Sequence, residues 1–221
     1  MKIRAWEGVR VDRTQPHASS RWVRRRHDAI ALAAGLVVLA AGMIAVRNGS
    51  VSGFEKSVFH AINDLPRALY PVLWPVQQLG AVLVGPIVAA AAALSRRFRL
   101  AVALLIATVA KLVLERAVKA IVSRERPGTS IGPDIHLRGA VSLTGESFVS
   151  GHAVLVTAIA GLVSPYLRGR WKIIPWALVG LAMVTRVYVG AHNPLDVICG
   201  AALGLAIASA LNLAVGVPET A

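Results

Sequence analysis

Six apolar runs, each long enough or nearly long enough to cross a bilayer, follow one another between residues 29 and 215. A transmembrane helix needs about 20 mostly apolar residues. The runs lie at 29–46, 79–94, 100–122, 150–167, 173–189 and 194–215, with Trp74, Pro75 and Pro86 complicating the start of the second. Little else can be built from them. The chain is 56% hydrophobic and 16% charged, with a mean hydropathy of +0.62, and has too few polar residues to surround six such runs in water. The fold expected is all-α: a polytopic membrane protein, a six-transmembrane-helix bundle over 29–215, with a basic leader at 1–28 and a short tail at 216–221.

Charge orients the bundle. There are 24 Lys+Arg against 11 Asp+Glu, a net +13. The leader with its "RWVRRRH", the "SRRFR" of 95–99 and the "RGRWK" of 168–172 fall on one side of a six-helix path. The positive-inside rule makes that side cytoplasmic, together with both termini. The leader has no A-x-A cleavage site before a soluble body and reads as an uncleaved anchor. No zinc finger, RNP-like motif or basic reading helix accompanies the charge, which argues against nucleic acid as a partner. Cys199 is the single cysteine, so no intramolecular disulfide exists, and its apolar setting suits a small buried hydrophobe.

The opposite, extracytoplasmic side receives 47–68, 123–149 and 190–193. Lys119, Arg124, Arg126, Arg138 and Arg186 gather there against the charge rule, and anion binding or catalysis would explain them. Residues 54–74 place Phe54, Val58, Phe59 and Ile62 at helical spacing, with Tyr70 and Trp74 following. That pattern predicts an amphipathic interfacial helix; a packed loop helix is the equal alternative. Lys111 and Glu115, four apart in the third run, predict an internal ion pair.

Three short stretches carry chemistry. "KAIVSRERP" sets Lys119 and Arg126 about two helical turns apart, and Pro127 ends the helix. In "ESFVSGHAV", Ser150 can cap the fourth helix, with Gly151 and His152 next; a helix N-terminus is a ready anion site. In "TRVYVGAHNPLDV", Arg186 ends the fifth helix, Asn193 caps the sixth and Pro194 takes its first position. Asp196, in the first turn, can reach back to His192 and fix its tautomer. Each stretch alone is ordinary. Together they bring three cations, a helix N-terminus and two histidines to one face, a combination that clamps phosphoryl oxygens.

The spacing Lys119-x6-Arg126-Pro127, then Ser150-Gly151-His152, then Arg186-x5-His192-x3-Asp196 resembles the type 2 phosphatidic acid phosphatase (PAP2) superfamily of lipid phosphatases. The resemblance implies that His192 is the nucleophile, forming a phosphohistidine. It implies that Asp196 orients it and that His152 protonates the leaving group. Lys119, Arg126, Arg186, the Ser150 hydroxyl and the Gly151 N–H would hold the phosphoryl oxygens, with no metal or cofactor. Val149 stands where the family often has Pro, and Thr185 where it often has Ser. His17, His27, His60 and His136 match no motif. A Ser150–His152 nucleophile pair is disfavoured on its own physics, because residues two apart on a helix point away from each other.

The partner expected is a membrane lipid phosphate: an undecaprenyl-pyrophosphate-type carrier first, or phosphatidic acid or phosphatidylglycerol phosphate. A phosphotransferase using the same intermediate is the alternative. A non-catalytic anion-binding or transport protein ranks below both, since it has no need of His192 and Asp196 beside Arg186.

Overall fold

Gly200 and Gly204 stand about one turn apart on the last helix, and their missing side chains set the central contact of the fold. A Cβ on Gly200 would lie 2.6 Å from the Ser150 carbonyl oxygen, and one on Gly204 would strike the carbonyl of Val154. Small residues four apart let two apolar helices approach backbone to backbone. The computed structural model describes residues 22–219. The last helix, α9 (Pro194–Val215), runs beside α7 (Gly151–Val163) on this face. Its other face meets α1 (Arg26–Ala45), where a Cβ on Gly35 would lie 2.6 Å from the Ala202 carbonyl oxygen. Cys199 is buried on α9 against Gly42 and is a free thiol. Gly204→Val is expected to cost about 1–3 kcal/mol by forcing α7 and α9 apart. An unchanged thermal midpoint in detergent would contradict that.

Three further helices complete the bundle: α4 (Val84–Leu94), α5 (Phe98–Ile121) and α8 (Ile173–Tyr188). Helices α1, α5 and α8 run toward the end that carries His192, and α4, α7 and α9 run away from it. Shorter pieces lie between them: α2 (Gly53–Asn63), a 3-10 turn at Arg67–Leu69, α3 (Tyr70–Gln78) and α6 (Pro127–Ser130). Phe148, Val154, Leu104, Leu162 and Leu203 sit in the main apolar core.

The structure corrects the predicted elements in two places and decides a third. The single helix expected over 54–74 is broken at Pro66 into α2, the 3-10 turn and α3. α2 buries Glu55, Phe59 and Asn63, whereas Phe54 is 81% exposed. Phe59 packs with Ala153, Val187 and Val197, so of the two alternatives α2 is the helix packed onto the bundle. The second run, 79–94, is helical only from Val84. At the start of the tail, Pro218 pairs with Trp22 and Val217 with Val23 in a two-stranded antiparallel ribbon.

The six-span count is met only in part. By length and composition, α1 and α9 are the two described helices able to cross a membrane on their own. α5 has 24 residues but carries Lys111, Glu115, Arg116 and Lys119. α4 and α7 have 11 and 13 residues. At 1.5 Å per residue they measure about 17 and 20 Å, against a hydrocarbon core of about 30 Å.

Charge is sorted along the bundle. At the ribbon end Arg24 Nε donates to the Leu213 carbonyl at 2.8 Å, and Arg99 Nη1 to that of Val215 at 2.9 Å. Arg99 also stacks on Trp22 and Arg97 on Tyr166. The end of the leader and the 95–99 loop thus meet at the end opposite His192. Residues 1–21, including most of the leader and His17, lie outside the described residues.

Candidate active site

Pro127 does locally what its ring requires. It opens α6, and Arg126 before it is extended (φ −67°, ψ 159°). Arg126 N donates to Gly145 O at 3.1 Å, and its Nη1 to Ala191 O at 3.0 Å. One side chain thereby fastens the first motif to the loop of the third. In that loop Gly190 has φ +77°, and a Cβ there would lie 2.9 Å from His136 O, so the turn requires glycine. The turn delivers His192, only 3% exposed.

Asp196 is held at both oxygens. Oδ2 accepts from Asn193 N at 2.8 Å, and Oδ1 from Arg124 Nη1 at 2.8 Å. Arg124 is 1% exposed. Its guanidinium also binds both carboxylate oxygens of Glu55 and, at 3.1 Å, Ser50 O. Glu55 Oε1 in turn accepts from Leu195 N at 2.9 Å, in the first turn of α9. The carboxylate so fixed faces His192 Nδ1 at 3.7 Å, close enough for an ion pair but beyond hydrogen-bond length. His192 Nδ1 has no hydrogen-bond partner among the described residues. Burial pushes the imidazole down from its ordinary value to about 4. Asp196 opposes the shift, while Arg186 and Arg126 add to it. The ring is therefore neutral at physiological pH.

The second motif is tied to the third through backbone, since Ser150 N donates to Asp196 O at 3.0 Å. Ser150 is the N-cap of α7 by position, yet its hydroxyl caps nothing. Its Oγ is buried with no hydrogen-bond partner among the described residues, so it makes no bond to His152. Val149 is buried, and the Phe148–Val149 peptide bond is cis. Gly80, before α4, lies directly against His152; a Cβ there would be 2.5 Å from that of the histidine. His152 is within electrostatic reach of Arg186, His192, Lys111 and Glu115.

The cations divide into two groups. Arg186 Nη1 donates to Gln77 Oε1 on α3 at 3.0 Å, and its Nε is buried without a partner. Lys111 and Glu115 form the expected pair at 2.7 Å, and Lys119 joins the same carboxylate at 2.8 Å. That carboxylate lies against Gly151. Arg126, Arg186 and Lys119 thus border the α7 N-terminus and His192. Arg124 and Arg138 do not. Arg138 is buried on the carbonyls of Asn63, Tyr188 and Leu65 and stacks on Tyr188 at 4.1 Å, clipping a loop. Thr185 Oγ1 is spent on Leu181 O at 2.7 Å, within its own helix. His60 and His136 sit apart, both facing Asp64.

Glu55 and Gln77 were not among the residues expected at the site, and Arg124, counted among the outer cations, was given no carboxylate partners. Glu55 carried a signal: four residues before Phe59, it shares that residue's helix face, where a carboxylate demands a partner. Arg124 stands between Lys119 and Arg126 on the side that should lack cations. Gln77 gives no such signal.

The sequence pattern of the PAP2 superfamily matches residues 96–217, more than half the chain and all three motifs. The chain belongs to the PAP2 superfamily. Among curated proteins, an undecaprenyl-diphosphatase from Sulfolobus acidocaldarius is 34% identical over 124 residues. The alignment covers 54% of this PAP2 chain, which spans 57% of that relative's length. Two solved structures share the fold. The crystal structure of Aquifex aeolicus LpxE superposes with a TM-score of 0.64 at 24% identity, covering 70% of this chain and 92% of that one. A transmembrane PAP2-type phosphatidylglycerolphosphate phosphatase from Bacillus subtilis gives 0.62 at 18% identity, covering 84% and 94%.

Proposed function

We propose that this PAP2 protein is an integral membrane lipid phosphatase working through a phosphohistidine at His192. The observation that carries the reading is the neutral, buried imidazole facing a carboxylate fixed at both oxygens, beside Arg126 and Arg186. Nδ1 faces Asp196, which leaves Nε2 for phosphorus. Its lone pair forms the N–P bond as the bond from phosphorus to the lipid oxygen breaks, and His152 gives that oxygen its proton. The imidazole becomes cationic as it bonds, and Asp196 offsets the new charge. Water then attacks phosphorus, returns a proton to His152 and releases phosphate. Lys119, Arg126 and Arg186, with the Ser150 hydroxyl and the Gly151 N–H, hold the non-bridging oxygens.

Helices α1, α4, α5, α7, α8 and α9 are the six spans in this reading. Their alternating directions and the arginines at the ribbon end support an extracytoplasmic site with both termini cytoplasmic. The short α4 and α7 lean on their neighbours to bridge the bilayer.

The substrate favoured is an undecaprenyl-pyrophosphate-type carrier lipid, and the Sulfolobus acidocaldarius relative's name lends support. Phosphate release by the purified full-length protein from that lipid, phosphatidic acid and phosphatidylglycerol phosphate tests it, with the carrier expected fastest. No release from any of the three would end the phosphatase reading. The His192 pKa predicts the acid limb. Above about pH 4 the ring is neutral and attacks; below it the proton blocks Nε2, so kcat/KM falls. A limb at the usual histidine value near pH 6.5 would count against a buried nucleophile.

A further inference from the structure

At the end of the bundle away from His192, α1, α7, α9, the start of α8 and the turn before it line an open cavity of about 680 Å3. Small-ligand pockets measure about 300–1,000 Å3. One wall holds Asp28, in the first turn of α1 and 6% exposed. Its Oδ1 accepts from Asn212 Nδ2 at 3.1 Å, but its Oδ2 is buried with no hydrogen-bond partner among the described residues. Ser164 Oγ, also in the lining, is buried and unpartnered. Exposed Arg170 and half-exposed Lys172 bring positive charge to the lining, and Trp176 gives an apolar surface leading out.

A buried carboxylate oxygen without a donor is costly, and the cations present do not bond to it. The cavity thus pairs an acceptor-only group inside with three cations in its lining: Arg170, Lys172 and Arg25, whose Nη2 also donates to Pro218 O at 3.2 Å. A purely anionic headgroup would satisfy the cations and leave Asp28 facing like charge. A group with an ammonium and a phosphate satisfies both. We propose that this cavity binds the headgroup of an amine-bearing phospholipid. The ammonium, with three donors, sits on Asp28 Oδ2 and Ser164 Oγ. The phosphate sits on Arg170 and Lys172, and the acyl chains leave past Trp176 into the bilayer. None of these residues belongs to the His192 site, so the inference stands whether or not the phosphatase reading does.

The trimethylated analogue provides the test, because it has the same net charge but no N–H to donate. Full-length protein is equilibrated with equal amounts of phosphatidylethanolamine, phosphatidylcholine and phosphatidylglycerol, and retained lipids are read by native mass spectrometry. Phosphatidylethanolamine should be retained about tenfold over phosphatidylcholine, the scale of a charge-assisted hydrogen bond. Asp28→Asn should abolish that preference. The paired change Arg170→Ala and Lys172→Ala, at positions outside the core, should lower retention of both lipids while the bundle stays folded. Equal retention of the two by the unaltered protein would overturn the proposal, as would a preference for phosphatidylglycerol. If Asp28→Asn fails to fold, the paired variant decides: unaltered retention there also overturns it.

Discussion

His192→Ala is expected to abolish phosphate release from the lipid substrate while leaving a folded protein. Removing an activated nucleophile typically costs a factor of about 10^4–10^6 in turnover. Here no other described side chain stands ready to replace it. Ser150 Oγ makes no hydrogen bond to a base, and His152 is assigned to the leaving group. The imidazole makes no hydrogen bond through Nδ1, so its loss deprives Asp196 of little; Arg124 and Asn193 still hold that carboxylate. The thermal midpoint should therefore stay near that of the unaltered protein. Release of labelled phosphate and acid-labile labelling of the protein are the two measurements. Retained turnover in His192→Ala would remove the phosphohistidine from the mechanism.

Arg124→Met should act the other way, on stability first and on activity as a consequence. Arg124 is the counter-ion of two buried carboxylates, Glu55 and Asp196, whose side chains are 4% and 0% exposed. Removing one partner of a buried ionic cluster costs about 3–5 kcal/mol, because the remaining charges stay desolvated and uncompensated. Denaturant or thermal unfolding in detergent should show that loss. Adding Glu55→Leu should return part of it, since one orphaned carboxylate goes with it. A simple surface arginine would give no such recovery. Whatever folded protein remains should turn over slowly, because Asp196 has lost the bond that aims it.

The contrast between Arg126 and Arg124 shows what the sequence could and could not convey. The three motifs were legible because each marks itself locally: a proline after Arg126, a Ser-Gly-His at a helix start, an Asn-Pro pair opening α9. Their convergence followed from the order of the helices. Pattern singled out Arg126 by its proline but did not say where Arg124 would go. Arg124 and Arg126 are two residues apart and chemically identical. One reaches Ala191 O beside His192, and the other disappears into a cluster with Glu55, about seventy residues earlier. That choice depends on where α2 packs, which its spacing alone left open between the membrane interface and the bundle. Of its apolar stripe the bundle took Phe59 and left Phe54 outside, and it also took Glu55 and Asn63, which bond to Arg124 and to the carbonyls of Tyr188 and Val187. Lys111–Glu115 was predictable from spacing alone; the arrival of Lys119 on the same carboxylate was not.

The ribbon between Trp22–Val23 and Val217–Pro218 has a practical corollary. Any sequence attached before or after it departs from the same end of the molecule, opposite the loops that carry His192. A folded reporter fused to either terminus should therefore report on one and the same compartment. A protein tethered to a support by either end would present its His192 mouth outward, open to lipid vesicles in solution.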